Sequence, residues 1–217
     1  MFIKLWMQQD VTTVDQDTPL GQAAEIITQS HFRHLPVVNG KKLVGIITQS
    51  DINKALPSAM DSSVTPENSI IAAQAKVSAF MAGNPVTAQP MDPLENVALL
   101  MRRFKIGAVP VVEGEDLVGI ISETDIFQAF AEVLGGGESG ARIELQIQNN
   151  GSAVYTITDI CKQFNMQLLA ITIYKNYSPD HQLLTIRVTG EEMESMVDAL
   201  WNSGAKVNRV LMESDQD

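Results

Sequence analysis

Apolar and polar positions in the first 133 residues run through one order twice, 74 residues apart. Each copy opens on a short extended stretch, residues 11–14 and then 86–88. Helical spacing follows. Leu20, Ala23, Ala24 and Ile27 share one face, and Leu94, Val97, Ala98 and Met101 repeat that spacing. Thr18-Pro19 and Asp92-Pro93 stand before these helices and predict an N-cap followed by proline at the first helical position, where a missing N–H costs nothing. A β-run begins at Pro36-Val37-Val38 and at Pro110-Val111-Val112, with proline at a strand start, where no ladder donor is needed. Turns at residues 39–42 and 113–116 lead into residues 43–47 and 117–121. Asp51 and Asp125 are expected to open a second helix. Residues 7–56 and 81–130 align without a gap, and 17 of 50 positions are identical. Repetition of this kind means that each copy is one supersecondary unit burying its apolar face against another. Any site built by one copy is then expected twice.

The pattern changes after Leu134-Gly135-Gly136-Gly137-Glu138-Ser139-Gly140, whose consecutive glycines have too much backbone freedom for a helix or strand interior. Ile143, Leu145 and Ile147 alternate with polar residues as a half-buried strand does. Asn149-Asn150-Gly151 turns into a helix carrying Val154, Ile157, Cys161 and Phe164 on one face. Two further alternating runs, around Ile171 and Ile186, precede a helix striped by Met193, Met196, Val197, Leu200 and Trp201, and residues 206–212 close as a strand. The order β-α-β-β-α-β predicts a ferredoxin-like sandwich. The expected organisation is a first motif over residues 1–60, a polar connector at 61–74 and a second motif at 75–133. A glycine-rich linker at 134–140 and a C-terminal domain at 141–217 follow. The fold class is mixed α+β and α/β.

Charge and composition narrow the function. The net charge is −11, shared by both halves: residues 1–133 hold nine basic and fifteen acidic side chains, and residues 134–217 hold six and eleven. Without a Lys/Arg cluster, nucleic acid and anionic membrane surfaces lack their electrostatic footprint. Apolar runs stop short of a membrane span, and the N-terminus turns polar too early for a signal peptide. One cysteine, Cys161, fits a reducing compartment, so a cytoplasmic location is expected. Cys161 shares its helix face with Ile157 and Phe164, which places it in a core rather than among reactive thiols. His31 and His34 have no third ligand nearby for a metal, and no nucleophile elbow, P-loop or dinucleotide fingerprint occurs.

The repeated Gly-Ile-Ile-Thr/Ser-x-x-Asp carries the candidate chemistry. Thr48 with Asp51, and Ser122 with Asp125, have the spacing of a capping box. The same arrangement fits a ribonucleotide. A helix N-terminus favours phosphate, the hydroxyl can donate to a phosphate oxygen, and the carboxylate one turn on can accept from both ribose hydroxyls. Gly45 and Gly119 leave room for a ring or a neighbouring strand to approach the backbone.

Pro-Val-Val-x-Gly-x-x-Leu-Val-Gly-Ile-Ile-Thr/Ser-x-x-Asp, present twice, resembles the motif of the CBS domain (cystathionine β-synthase domain), and two in tandem resemble a Bateman module. The resemblance implies two clefts for adenine-containing regulatory ligands: AMP, ADP, ATP or S-adenosylmethionine. By family pattern Asp51 and Asp125 hold ribose, Thr48 and Ser122 hold phosphate, and Thr12 and Val86 touch base or sugar. Arg33, His34 and Leu35, matched by Gly107, Ala108 and Val109, line the pockets. Arg33-His34 against Gly107-Ala108 predicts two unequal sites. Residues 141–217 resemble an ACT domain, with Asn150 and Gly151 at its ligand turn and a homodimer implied. The domain order resembles that of bacterial acetoin-utilisation proteins and implies a link to acetoin or central carbon metabolism. No catalytic domain is recognised in these residues, and no catalytic cofactor is expected. The expected function is a non-enzymatic ligand sensor acting on a protein partner. The alternatives are a dimerisation and docking scaffold, and an amino-acid sensor working through the C-terminal domain.

Overall fold

A computed structural model describes residues 1–57, 65–137, 139–148 and 152–213. The chain divides into two compact units, Met1–Phe127 and Gln128–Asp217.

In the first unit the duplicated pattern folds as two copies of one motif. Copy one comprises β1 (Val14–Asp15), α1 (Leu20–Ser30), β2 (His34–Asn39), β3 (Lys42–Thr48) and α2 (Gln49–Ala55). A helix, α3 (Pro66–Gln74), and a short strand, β4 (Ala82–Gly83), lead to α4 (Leu94–Phe104), β5 (Ala108–Glu113), β6 (Asp116–Ser122) and α5 (Glu123–Val133), which crosses the division. The strands lie in the order β1-β2-β3-β6-β5, with β4 against β3. β1 runs parallel to β2 through Val14↔Val37; in copy two the leading stretch shrinks to a single parallel bridge, Ala88↔Val111. The copies join where their hairpin ends meet. The Leu43 N–H donates to the Glu115 carbonyl (3.1 Å) and the Leu117 N–H to the Lys41 carbonyl (2.9 Å), two bonds related by the same 74-residue offset.

Two expectations about helix ends are corrected. Pro19 and Pro93, not Thr18 and Asp92, occupy the N-cap positions, with ψ of 139° and 136°, and no side chain caps either helix. The Leu20 N–H donates instead to the Ala75 carbonyl and the Leu94 N–H to the Met1 carbonyl, while the Asp92 carboxylate accepts from the Gln89 N–H. The helices after β3 and β6 open two residues before Asp51 and Asp125, because the hydroxyl residues are the caps. The expected polar connector holds α3. Its Thr65 hydroxyl accepts from the Asn68 N–H and proline follows at the first helical position. α3 buries none of its residues, so no apolar stripe marked it in the sequence. Gly21 of α1 lets Ala73 lie against it, at 3.2 Å from where a Cβ would stand.

The leading segments of the two copies are exchanged. The Ile3 and Lys4 N–H groups donate to the Asp92 and Pro90 carbonyls, and Gln8 and Ile120 exchange both backbone bonds at 2.9 Å. In mirror fashion the Val77 and Ser78 N–H groups donate to the Thr18 and Gln16 carbonyls, and Ala82 and Gly83 pair with Ile46 and Gly45. Ile3 and Val77 are fully enclosed. The strand expected over Gly45 and Gly119 is this exchanged segment. A Cβ on Gly119 would stand 2.9 Å from Met7 Sδ and 3.0 Å from the Gln8 carbonyl oxygen. Gly119→Val therefore forces the segment off β6 and is expected to lower stability by about 1–3 kcal/mol, read as a lower urea midpoint.

In the second unit β7 (Gly140–Gln148), α6 (Ala153–Gln163), β8 (Gln167–Tyr174), β9 (His181–Thr189), α7 (Met193–Asn202) and β10 (Lys206–Glu213) follow the expected β-α-β-β-α-β order. The sheet is antiparallel throughout, ordered β10-β7-β9-β8. Ile143, Leu145, Ile147, Leu184 and Ile186 pack with Ile157, Cys161, Met196 and Leu200. Burial pushes the Cys161 thiol up, away from the reactive thiolate. Trp201 departs from the expected stripe and is half exposed, since one residue past Leu200 lies about 100° around the helix. The first glycines of the expected linker terminate α5. The Gly135 N–H donates to the Glu132 carbonyl, the Gly136 N–H donates to the Ala131 carbonyl, and Gly135 takes φ +73°. Asn150 and Gly151 lie outside the described residues.

Candidate ligand clefts

The Thr/Ser-x-x-Asp segments form capping boxes in both copies. The Thr48 N–H and hydroxyl donate to Asp51 Oδ2 at 3.0 and 2.6 Å, and the Asp51 N–H returns a bond to the hydroxyl at 3.2 Å. Ser122 and Asp125 repeat this at 2.7, 2.7 and 3.3 Å. Each hydroxyl proton is thus directed at its own carboxylate. It must be turned away from Oδ2 before it can reach a phosphate. Asp125 Oδ1 accepts from Gln8 Nε2 over 3.3 Å, a long contact.

Two clefts flank these segments. The larger, about 1090 Å³, is bordered by Thr48, Lys54, Val86, Lys105, Gly107 and Glu123. The smaller, about 340 Å³, is bordered by Asp10, Thr12, His31, Ser122 and Asp125. Arg33, His34 and Ala108 border both. Each cleft joins the helix start of one copy to the leading segment of the other. Each cleft therefore draws on both copies: Thr12 borders the Ser122 cleft, and Val86 borders the Thr48 cleft.

Thr12, Arg33, His34, Thr48, Val86, Gly107, Ala108, Ser122 and Asp125 reach a cleft. Leu35 and Val109 do not. Both are 0% exposed, because alternation along β2 and β5 turns the residue between two cleft-facing positions into the core. Asp51, whose carboxylate accepts from Thr48, is not among the residues bordering either cleft. Lys105 and His31 border the clefts, yet the sequence reading passed over Lys105 and weighed His31 only as a metal ligand. They end α4 and α1 in the left-handed conformation, φ 55° and 56°, without the glycine that usually signals such an end.

Gly107 makes room for the shared wall. A Cβ there would stand 3.0 Å from His34 Cε1 and 3.4 Å from Glu123 Oε2. Burial is the main cause that pushes His34 below histidine's usual value, and Arg33 adds to it; Glu123 and Asp51 pull the other way. The unfolded chain therefore binds the proton more readily, and stability drops as pH falls through about 6.5. His34→Gln is expected to flatten that slope in urea midpoints compared between pH 5.5 and 7.5. An unchanged slope would remove His34 as its source.

The fold and site define a tandem pair of β-α-β-β-α modules sharing two interfacial clefts. The model of the CBS domain matches residues 3–58 and 77–132, just over half of the sequence, and the chain belongs to the CBS domain family. A CBS domain-containing protein of Dictyostelium discoideum is 32% identical over 140 residues, covering 62% of this chain and 94% of that protein. Homoserine O-acetyltransferase of Methanococcus vannielii is 34% identical over 122 residues. The match covers 55% of this chain and only 23% of the enzyme, so the chain spans under a quarter of that relative. Among solved structures, the CBS domain pair of protein MJ0100, in complex with 5′-methylthioadenosine and S-adenosyl-L-methionine, gives a TM-score of 0.51 at 29% identity. It covers 61% of this chain and 97% of that one. A Vibrio cholerae protein provisionally named acetoin utilization protein (AcuB) gives 0.53 at 27% identity, covering 62% and 93%.

Proposed function

We propose that this chain is a regulatory protein without a reaction of its own, sensing an adenine-containing small molecule in the clefts of its CBS pair. The observation that carries this reading is the junction in each cleft of a Ser/Thr-x-x-Asp helix start with the other copy's leading segment. The adenine compounds bound by the MJ0100 pair support it. Asp125 takes ribose hydroxyls in place of the long Gln8 contact. Thr48 turns toward phosphate, and Thr12 and Val86 lie against base or sugar. Binding acts on a partner only through unequal affinity for two arrangements of the modules, since a ligand equally suited to both shifts nothing. The C-terminal unit is read as an ACT-like domain pairing two copies into a homodimer, supported by its element order and antiparallel sheet. The likeness to the Vibrio cholerae protein supports a link to acetoin metabolism.

Thermal melting with AMP, ADP, ATP, S-adenosylmethionine, NADH and single amino acids tests this. A ligand at 100 times its dissociation constant adds about 2.7 kcal/mol. No rise with any adenine compound overturns the sensor reading in favour of a scaffold.

A further inference from the structure

The two clefts differ in charge at positions that the repeat makes equivalent. Lys105 borders the larger cleft where His31 borders the smaller, and Asn84 stands in the larger where Asp10 stands in the smaller. Lys54 and Glu123 complete the charged border of the larger cleft, and Asp125 that of the smaller. Arg33 borders both, and a single guanidinium serves one polyphosphate at a time. With Arg33 set aside, the larger cleft keeps two lysines against one carboxylate. The smaller keeps two carboxylates and no lysine or arginine. Size follows charge: about 340 Å³ lies near the lower end for small-molecule sites, whereas about 1090 Å³ has room beyond a nucleoside.

We infer that the clefts sort adenine ligands by charge: the Thr48 cleft takes a nucleotide with two or three phosphates, and the Ser122 cleft takes an adenine nucleoside bearing none. This rests on the adenine reading above and assigns a ligand class to each cleft. A polyphosphate in the Ser122 cleft would face Asp10 and Asp125 at close range in a narrow space. In the Thr48 cleft it meets Lys54, Lys105 and Arg33 at the rim, all exposed and free to swing inward.

Calorimetric titration of the full chain at pH 7.5 with ATP and with 5′-methylthioadenosine tests the sorting. ATP is expected to bind once per chain, and 5′-methylthioadenosine to bind still when ATP is saturating. The Lys54→Gln/Lys105→Asn pair should weaken ATP about tenfold and shift 5′-methylthioadenosine less than twofold. Asparagine accepts the left-handed backbone at position 105, and an unchanged melting temperature without ligand confirms the fold. Asp10→Asn should leave 5′-methylthioadenosine bound and admit a second ATP. Two equivalent ATP sites in the unaltered chain, or ATP binding lost on Asp125→Ala and untouched by the lysine pair, overturns the sorting. Binding of neither compound overturns the adenine reading itself. The two failures are distinguishable, because sorting alone fails only when both compounds bind.

Discussion

Ile3→Ala is expected to destabilise the Met1–Phe127 unit by about 2–5 kcal/mol, the range for removing a fully enclosed branched side chain. Ile3 is 0% exposed, yet it lies in a 3₁₀ turn of only three residues near the chain start. Its burial comes from copy two: the Ile3 and Lys4 N–H groups donate to the Asp92 and Pro90 carbonyls, and the Leu94 N–H donates to Met1. The loss should therefore fall on the second copy. Hydrogen exchange of Ile3→Ala is expected to quicken first over residues 88–126, with residues 14–55 following. Val77→Ala should invert the order with a smaller total, since Val77 completes copy one and is one methylene smaller than isoleucine. Equal loss of protection in both halves, or a change below about 1 kcal/mol, would show that the exchanged segments carry little of the stability.

Replacing the two motif carboxylates separates two roles that the repeat makes look alike. Asp51→Ala and Asp125→Ala each break a capping box whose three bonds are in place, and each should cost the unliganded protein about 1 kcal/mol. Their effects on ligand should differ. Asp125 borders a cleft, so Asp125→Ala is expected to remove the melting increment given by 5′-methylthioadenosine, about 2.7 kcal/mol at 100 times the dissociation constant. Asp51 borders neither cleft, so Asp51→Ala should leave most of that increment. Melting curves with and without the nucleoside read both quantities at once. Equal loss of the increment in the two variants would mean that the nucleoside is not confined to the Ser122 cleft and that Asp51 also contributes to its binding.

The duplicated β-α-β-β-α order was legible because burial on one face imposes its period on neighbouring residues, 3.6 along α1 and α4 and 2 along the C-terminal strands. α3 was not legible. It buries no residue, and only Thr65-Pro66 at its start carries a signal. Helix ends were misplaced by one or two residues: at Pro19 and Pro93 because carbonyls elsewhere in the fold accept from the first helical N–H groups, and at Thr48 and Ser122 because the hydroxyl residues themselves are the caps. Nine of the twelve CBS-pair site residues reach a cleft. Leu35, Val109 and Asp51 do not: Leu35 and Val109 alternate into the core along β2 and β5, while Asp51 makes the same capping bonds as Asp125 without bordering a cleft.

By itself the sequence determined the motif, its duplication, the paired hydroxyl and carboxylate at each helix start, and the inequality of Arg33-His34 and Gly107-Ala108. All of these are carried by residues within one helical turn or one strand of each other, or by copying of the same stretch. Only the tertiary structure decided which copy completes which cleft. Residues 3–8 cross to copy two and residues 77–83 return to copy one, so Thr12 borders one cleft with Ser122, Val86 borders the other with Thr48, and Arg33 and His34 border both. The repeat is compatible with exchanged or unexchanged segments, because Ile3 and Val77 occupy matched places in it. Which pairing forms depends on long-range packing that neither copy encodes alone.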